Sequence, residues 1–126
     1  MKNTYISIFF FVALIIGLLF LNNKFINVCN DIVTECDIIE DFLNEYNEEE
    51  AYEYSLALVE LIIDESLIPA IYLNHVDYDS LKNDALKLSL YIRGGDRAES
   101  LATLHSLRST TEHLRDLQIT NLENFL

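Results

Sequence analysis

The segment Phe25–Tyr46, FINVCNDIVTECDIIEDFLNEY, decides how the rest of the chain is read. Within it Phe25, Cys29, Ile32, Cys36, Ile39, Leu43 and Tyr46 recur at alternating steps of four and three. That spacing keeps one stripe of an α-helix facing a partner. The chain's two cysteines, Cys29 and Cys36, both fall on the stripe. They stand two helical turns apart, roughly 10 Å at the α-helical rise, too far to bridge within one chain. They are expected to pack as small hydrophobes. The alternative is a disulfide across a parallel dimer in which two copies of the stripe meet.

Upstream, no charged residue occurs from Asn3 to Asn23, and Tyr5–Leu21 is almost wholly apolar, with Lys2 and Lys24 at its edges. A membrane span takes about 20 mostly apolar residues, whereas the core of a cleaved signal peptide takes about 7–15. After Leu21 come Asn22, Asn23, Lys24 and Phe25, with no pair of small residues to form a cleavage site. Val28 directly before Cys29 is too bulky for lipoprotein processing. Residues 1–24 therefore read as an uncleaved transmembrane signal-anchor that meets lipid through residues 3–23, and residues 25–126 as one domain outside the bilayer. Lys2 and Lys24 nearly balance the positive-inside signal. A short tail before an anchor usually stays inside, so a single-pass cell-membrane protein with an extracytoplasmic domain is expected.

Downstream, the stripe leads into further helices. Three glycines and one proline in 126 residues argue against a turn-rich β fold. Asn47 and Glu50 have capping-box spacing, and Glu48–Glu50 place negative charge in a first turn, where the helix dipole favours it. A second helix is predicted from Glu48 to about Ser66, with Pro69 kinking or restarting it before Tyr72 and Leu73. His75–Asp79 reads as a connection, with Asp77 or Asp79 as the next N-cap. The third helix should bury Tyr78, Leu81, Ala85, Leu88 and Ile92 and stop at Gly94-Gly95. The fourth, capped by Asp96 with Glu99, should run to about Leu117 and bury Ala98, Leu101, Leu104, Thr111 and Leu114, with His105 partly buried. A short tail, Ile119–Leu126, could pack back through Leu122, Phe125 and Leu126. The fold class is all-α: an N-terminal transmembrane helix continuing into an up-down antiparallel bundle of about four helices. No internal repeat is visible in the letters.

The formal net charge is −13, from 21 acids against 8 bases. A field of that sign repels nucleic acid, so no nucleic-acid partner is expected. Charge is also uneven. Between Phe25 and Leu81 there are fifteen acids and no base, whereas from Lys82 onwards six bases meet six acids. A solvated acidic face explains this; a surface for a basic partner or divalent cations is the alternative.

The stretch Ile71–Leu126 resembles a family of small membrane-anchored Gram-positive bacterial proteins, catalogued as domain of unknown function 4363. The similar features are Leu73-Asn74-His75 leading to an acidic N-cap, the helix end Leu88–Tyr91, the turn Asp96-Arg97, Glu99-Ser100-Leu101, Glu112-His113 and the closing Asn121–Leu126. The anchor followed by an acidic helix fits too. Many members carry a tryptophan shortly before the histidine, where this chain has Pro69-Ala70, so packing of the second helix is expected to differ. The resemblance implies a single-span anchor and a helical domain, and no assigned activity.

Chemistry-bearing constellations are sparse. His75, Asp77 and Asp79 form His-x-Asp-x-Asp, and His113 could approach them, a set suited to zinc or manganese. Capping of helix ends accounts for the same residues. No phosphate-binding glycine loop or nucleophile elbow occurs, so no catalytic, cofactor-binding or metal residue is assigned and no cofactor is expected. The expected role is a non-enzymatic interaction or accessory module, for another integral membrane protein or for self-association through the Phe25–Tyr46 stripe. The apolar surface of Tyr52, Tyr54, Leu56, Val59 and Ile63 motivates that reading. A ligand- or cation-sensing bundle is the alternative.

Overall fold

A computed structural model describes residues 1–65 and 75–125, without the side chains of residues 75–77, 121, 122 and 125. Its helices are α1 (Lys2–Asn44), α2 (Glu48–Asp64), α3 (His75–Arg93) and α4 (Arg97–Phe125). They form an antiparallel up-down bundle in which each helix packs on its sequence neighbours and α4 closes against α1.

α1 runs unbroken for 43 residues, roughly 65 Å at the α-helical rise. Its N-terminal half is apolar and bare: Ile6, Phe9, Phe10, Phe11, Leu14 and Ile16 all stand exposed. That half is long and apolar enough to cross a membrane. Packing begins near Asn22, and from there Phe25, Cys29, Ile32, Cys36, Ile39 and Leu43 are buried in sequence. The stripe predicted from spacing is thus the core row of α1, up to its last member. Tyr46 departs from it. It is 75% exposed and sits at φ 59, because α1 ends two residues earlier, at Asn44.

That ending is a Schellman turn. The Asn47 amide donates to the Phe42 carbonyl at 2.9 Å, and the Tyr46 amide to Leu43 at 3.2 Å. Asn47 then accepts from the Glu50 amide and caps α2. α3 ends in the same way: the Asp96 amide donates to Tyr91 at 3.0 Å and Gly95 to Ile92 at 3.1 Å. Gly95 takes φ 75, which a residue with a Cβ reaches only at a cost of about 1 kcal/mol or more. Asp96 accepts from the Glu99 amide at 3.1 Å and caps α4.

The likeness of the two turns extends through the core. The buried rows Ile32, Cys36, Ile39, Leu43 and Ala51, Ser55, Leu58, Ile62 recur as Leu81, Ala85, Leu88, Ile92 and Ser100, Leu104, Leu107, Thr111, each 49 positions on (32 to 81, 43 to 92, 62 to 111). The bundle is therefore two copies of one helical hairpin, α1–α2 and α3–α4, related by a pseudo-two-fold axis along its length. Few identical residues mark the repeat, Glu50 with Glu99 and Leu58 with Leu107 among them. Beyond it α1 and α4 both continue. α4 runs past the position equivalent to the end of α2, and there Leu114 and Gln118 stay buried.

Several boundaries differ from expectation. α3 is already helical at His75, so Tyr78 and Asp79 lie inside it rather than in a connection. α4 reaches Phe125 instead of ending near Leu117, because Leu114 and Gln118 extend its buried row against α1. Ala98 is exposed and Ser100 is buried in its stead; Leu107 is a core residue that the spacing had not picked out. His105 is on the rim, its side chain 58% exposed. The expected break at Pro69 and the packing of Leu122, Phe125 and Leu126 fall outside the described residues.

Both cysteines are free, buried thiols. Desolvation pushes each up to about 12, a shift that Arg115 near Cys29 and Arg108 near Cys36 only partly offset. The stripe that carries them is covered by the chain's own α2 and α4, so the alternative of a cross-dimer disulfide on this stripe is overturned. Neither thiol should react with a maleimide at pH 7.5 in the folded protein, and both should react once denaturant unfolds it. Labelling of either thiol in the native state would contradict the packing.

Candidate functional site

The pseudo-symmetry supplies an internal comparison between two grooves. One lies between α1 and α4; its counterpart lies between α3 and α2. Equivalent positions in them hold opposite chemistry.

The α1/α4 groove is charged and closed. Arg108, its side chain 15% exposed, donates to Glu40 and lies 3.0 Å from Asp37. His105 stands 3.7 Å from Glu40. Arg115 donates to Asn30 at 3.0 Å. At the top, Arg97 donates to the Leu43 carbonyl and stacks over the Tyr46 ring with its guanidinium 4.3 Å from the centroid. It thereby caps the negative end of the α1 dipole. These three arginines join the base-bearing second half of the sequence to the acidic first half.

The α2/α3 groove is apolar and open. Tyr52 and Arg93 meet across it, the guanidinium donating to the phenol at 3.1 Å, and the Tyr78 hydroxyl donates to the Ile62 carbonyl at 2.5 Å, capping α2. Those two contacts fix the register of the helices. Along its rim Leu56, Ile63, Leu86 and Leu90 are exposed, Ile63 at 48% and Leu90 at 68%. Their equivalents 49 positions away are His105, Glu112, Asp37 and Asp41. Val59 stands where the other groove has Arg108, and Ser89 where it has Glu40. The same bundle geometry therefore accepts charge at these positions. The leucines and isoleucine are not there because the fold demands them.

Flanking this stripe, Glu53, Glu60 and Asp64 lie on the outer side of α2, and Lys82 and Arg93 on α3. Among the described residues these acids and bases form no ion pair with one another; the ion pairs belong to α4 and its α1 partners.

On the α2-facing flank of α1, Glu35 buries one carboxylate oxygen without a hydrogen-bond partner. Desolvation, and then the charge of Asp31, raise it above the ordinary carboxylate value of 4.5. The folded state holds this proton more tightly than the unfolded one, so Glu35 penalises folding above its raised value. The penalty lifts as pH falls towards 4.5. Glu35→Gln should raise stability at pH 7 by up to about 1 kcal/mol, after allowance for partial exposure. The gain should vanish near pH 4, as read by urea titration at both pH values; a loss at pH 7 would refute the assignment.

The remaining candidates do not converge. Asp79 on α3 and His113 on α4 are exposed, and the side chains of His75 and Asp77 lie outside the described residues. No group of three or more His, Cys, Asp or Glu side chains gathers among the described residues. On the pseudo-two-fold axis at the top, Leu43, Glu48, Ile92, Gly95, Arg97 and Ser100 line a cavity of about 10 Å³, room for a single water molecule.

Fold and surface together define a class: a tandem helical-hairpin bundle borne on an apolar helix, with one sealed groove and one open, apolar groove. A family model described as domain of unknown function (DUF4363) matches residues 19–125, and the chain belongs to that family. No curated protein and no solved structure matches it.

Proposed function

We propose that the chain is a membrane-anchored, non-enzymatic interaction module whose working surface is the α2/α3 groove. The contrast between the two pseudo-equivalent grooves supports this reading above all. A monomeric bundle gains nothing from exposing Leu56, Ile63, Leu86 and Leu90 to water, and a contiguous apolar patch bordered by charge is the usual mark of a binding surface. The apolar half of α1 holds the surface at a set height above the bilayer and restricts its partners to those that share the membrane. The earlier expectation placed self-association on the Phe25–Tyr46 stripe. That stripe is occupied within the chain up to Leu43, which favours the α2/α3 groove as the interacting surface instead.

Site-specific photocrosslinking in membranes tests the proposal. A benzophenone side chain at Ile63 or Leu90 of the full chain should give protein adducts, and the same probe at Glu112 or Asp41, the equivalent positions on the other groove, should give none. Equal yields from the two faces, or none from either, would overturn it.

A further inference from the structure

We infer that the occupant of the α2/α3 groove is a second copy of this chain, docked side by side in the same membrane about a two-fold axis along the bilayer normal. The inference rests on the interaction reading above and adds the partner's identity.

Geometry carries the first part. Two copies anchored through α1 must stand parallel, so heights along the bundle are equal in both. A two-fold axis along the normal then sets α2 of one copy against α3 of the other. The Tyr52–Arg93 and Tyr78–Ile62 contacts place α2 residue 52 level with α3 residue 93, and 62 level with 78. Leu56 is thus level with Leu90, and Ile63 lies near the height of Lys82, about a turn below Leu86. In the parallel pair Leu56 of each copy meets the partner's Leu90, while Ile63 and Leu86 fill the space below. An antiparallel pair, which the membrane forbids, would break this match.

Charge carries the second part. At the same heights Glu53 stands level with Arg93, and Asp64 with Lys82, with Glu60 one turn above. Across the two-fold Glu53 and Asp64 on α2 face Arg93 and Lys82 on α3 of the other copy. One chain supplies both halves, as a self-complementary interface requires. α2 carries no base at all, so the pairing is available only against α3. This also accounts for bases at Lys82 and Arg93 that, among the described residues, have no acid as an ion-pair partner. Anchoring in two dimensions raises the effective concentration, so a modest patch suffices.

The test uses the full chain in native membranes. Two differently tagged versions are co-expressed, one Leu56→Cys and the other Leu90→Cys, and treated with a short bis-maleimide. The native thiols, being buried, stay silent and report that the bundle is folded. A mixed-tag dimer at least roughly tenfold above that from His105→Cys with Asp41→Cys, the equivalent pair on the sealed groove, is expected. Glu53→Arg should cut the yield severalfold, and Arg93→Glu in the other copy should restore it. No mixed dimer, with photoadducts from Ile63 that contain a different protein, would overturn self-association and leave the interaction reading intact. Absence of both dimer and adduct would overturn the two together. A dimer indifferent to the charge swap would refute the pairing described.

Discussion

Leu58→Ala and Leu107→Ala should each lower the unfolding free energy by about 3 kcal/mol, and by nearly the same amount. Both side chains are fully buried, and they occupy the same place in the two hairpins, one on α2 and one on α4. Truncation removes transfer energy and leaves a cavity that close-packed neighbours fill only in part. For a bundle of this size that corresponds to a fall in Tm of roughly 10–20 °C. Leu90→Ala, on the open groove, should stay within about 0.5 kcal/mol. Urea titration of the full chain in detergent micelles, followed by helical circular dichroism, distinguishes the cases. If one of the two core variants were several times milder than the other, the equivalence of the hairpins would be a likeness of outline only.

Arg108→Ala should cost about 2 kcal/mol, more than any other single charge removal outside the core. The side chain is largely covered, and its loss strands Glu40 and Asp37 on a helix already crowded with acids. Raising salt should recover part of the loss, since the stranded carboxylates then repel their neighbours less. The triple change Asp37→Leu, Glu40→Ser, Arg108→Val copies the residues that the other groove has at the equivalent positions, Leu86, Ser89 and Val59. It should fold with a stability within about 1 kcal/mol of the parent, because removing all members of a partly covered ion-pair group together leaves no charge stranded. It should also create a second apolar face and, with it, crosslinked species larger than a dimer. A triple variant less stable than Arg108→Ala alone would show that the two grooves are not interchangeable frameworks.

Much of the fold is legible residue by residue. The α1 row was readable because its members keep strict steps of four and three, a signal that survives the apolar residues off the row at Ile26, Val28, Val33, Ile38 and Phe42. Asn47 and Asp96 could be placed as caps because side-chain acceptors at that distance from Glu50 and Glu99 are a local matter. Errors cluster where an element's end is set by a distant neighbour. Asp77 and Asp79 have the look of caps, yet α3 is under way before them. Leu117 closes the run of evenly spaced apolar residues, yet Gln118 is buried and α4 continues along α1. Local propensity cannot see either partner.

The candidate surface was half visible. The apolar excess of α2 at Leu56 and Ile63 stands out in the letters, but nothing there says which side of the helix remains bare. The 49-residue repeat is invisible in the letters for a physical reason. Burial constrains size and polarity loosely, so Cys36 can answer to Ala85 and Ile62 to Thr111 without any identity to find.

By itself the sequence determined the apolar first half of α1, the helical class, the caps at the two upper turns and the segregation of acid from base along the chain, all of which depend on spacing or composition within a few turns. Only the tertiary structure decided which charges cancel. By bringing α4 onto α1 it sealed one groove with Arg97, Arg108 and Arg115, and left its pseudo-symmetric twin apolar and open, because pairing across a bundle depends on which helices become neighbours in space.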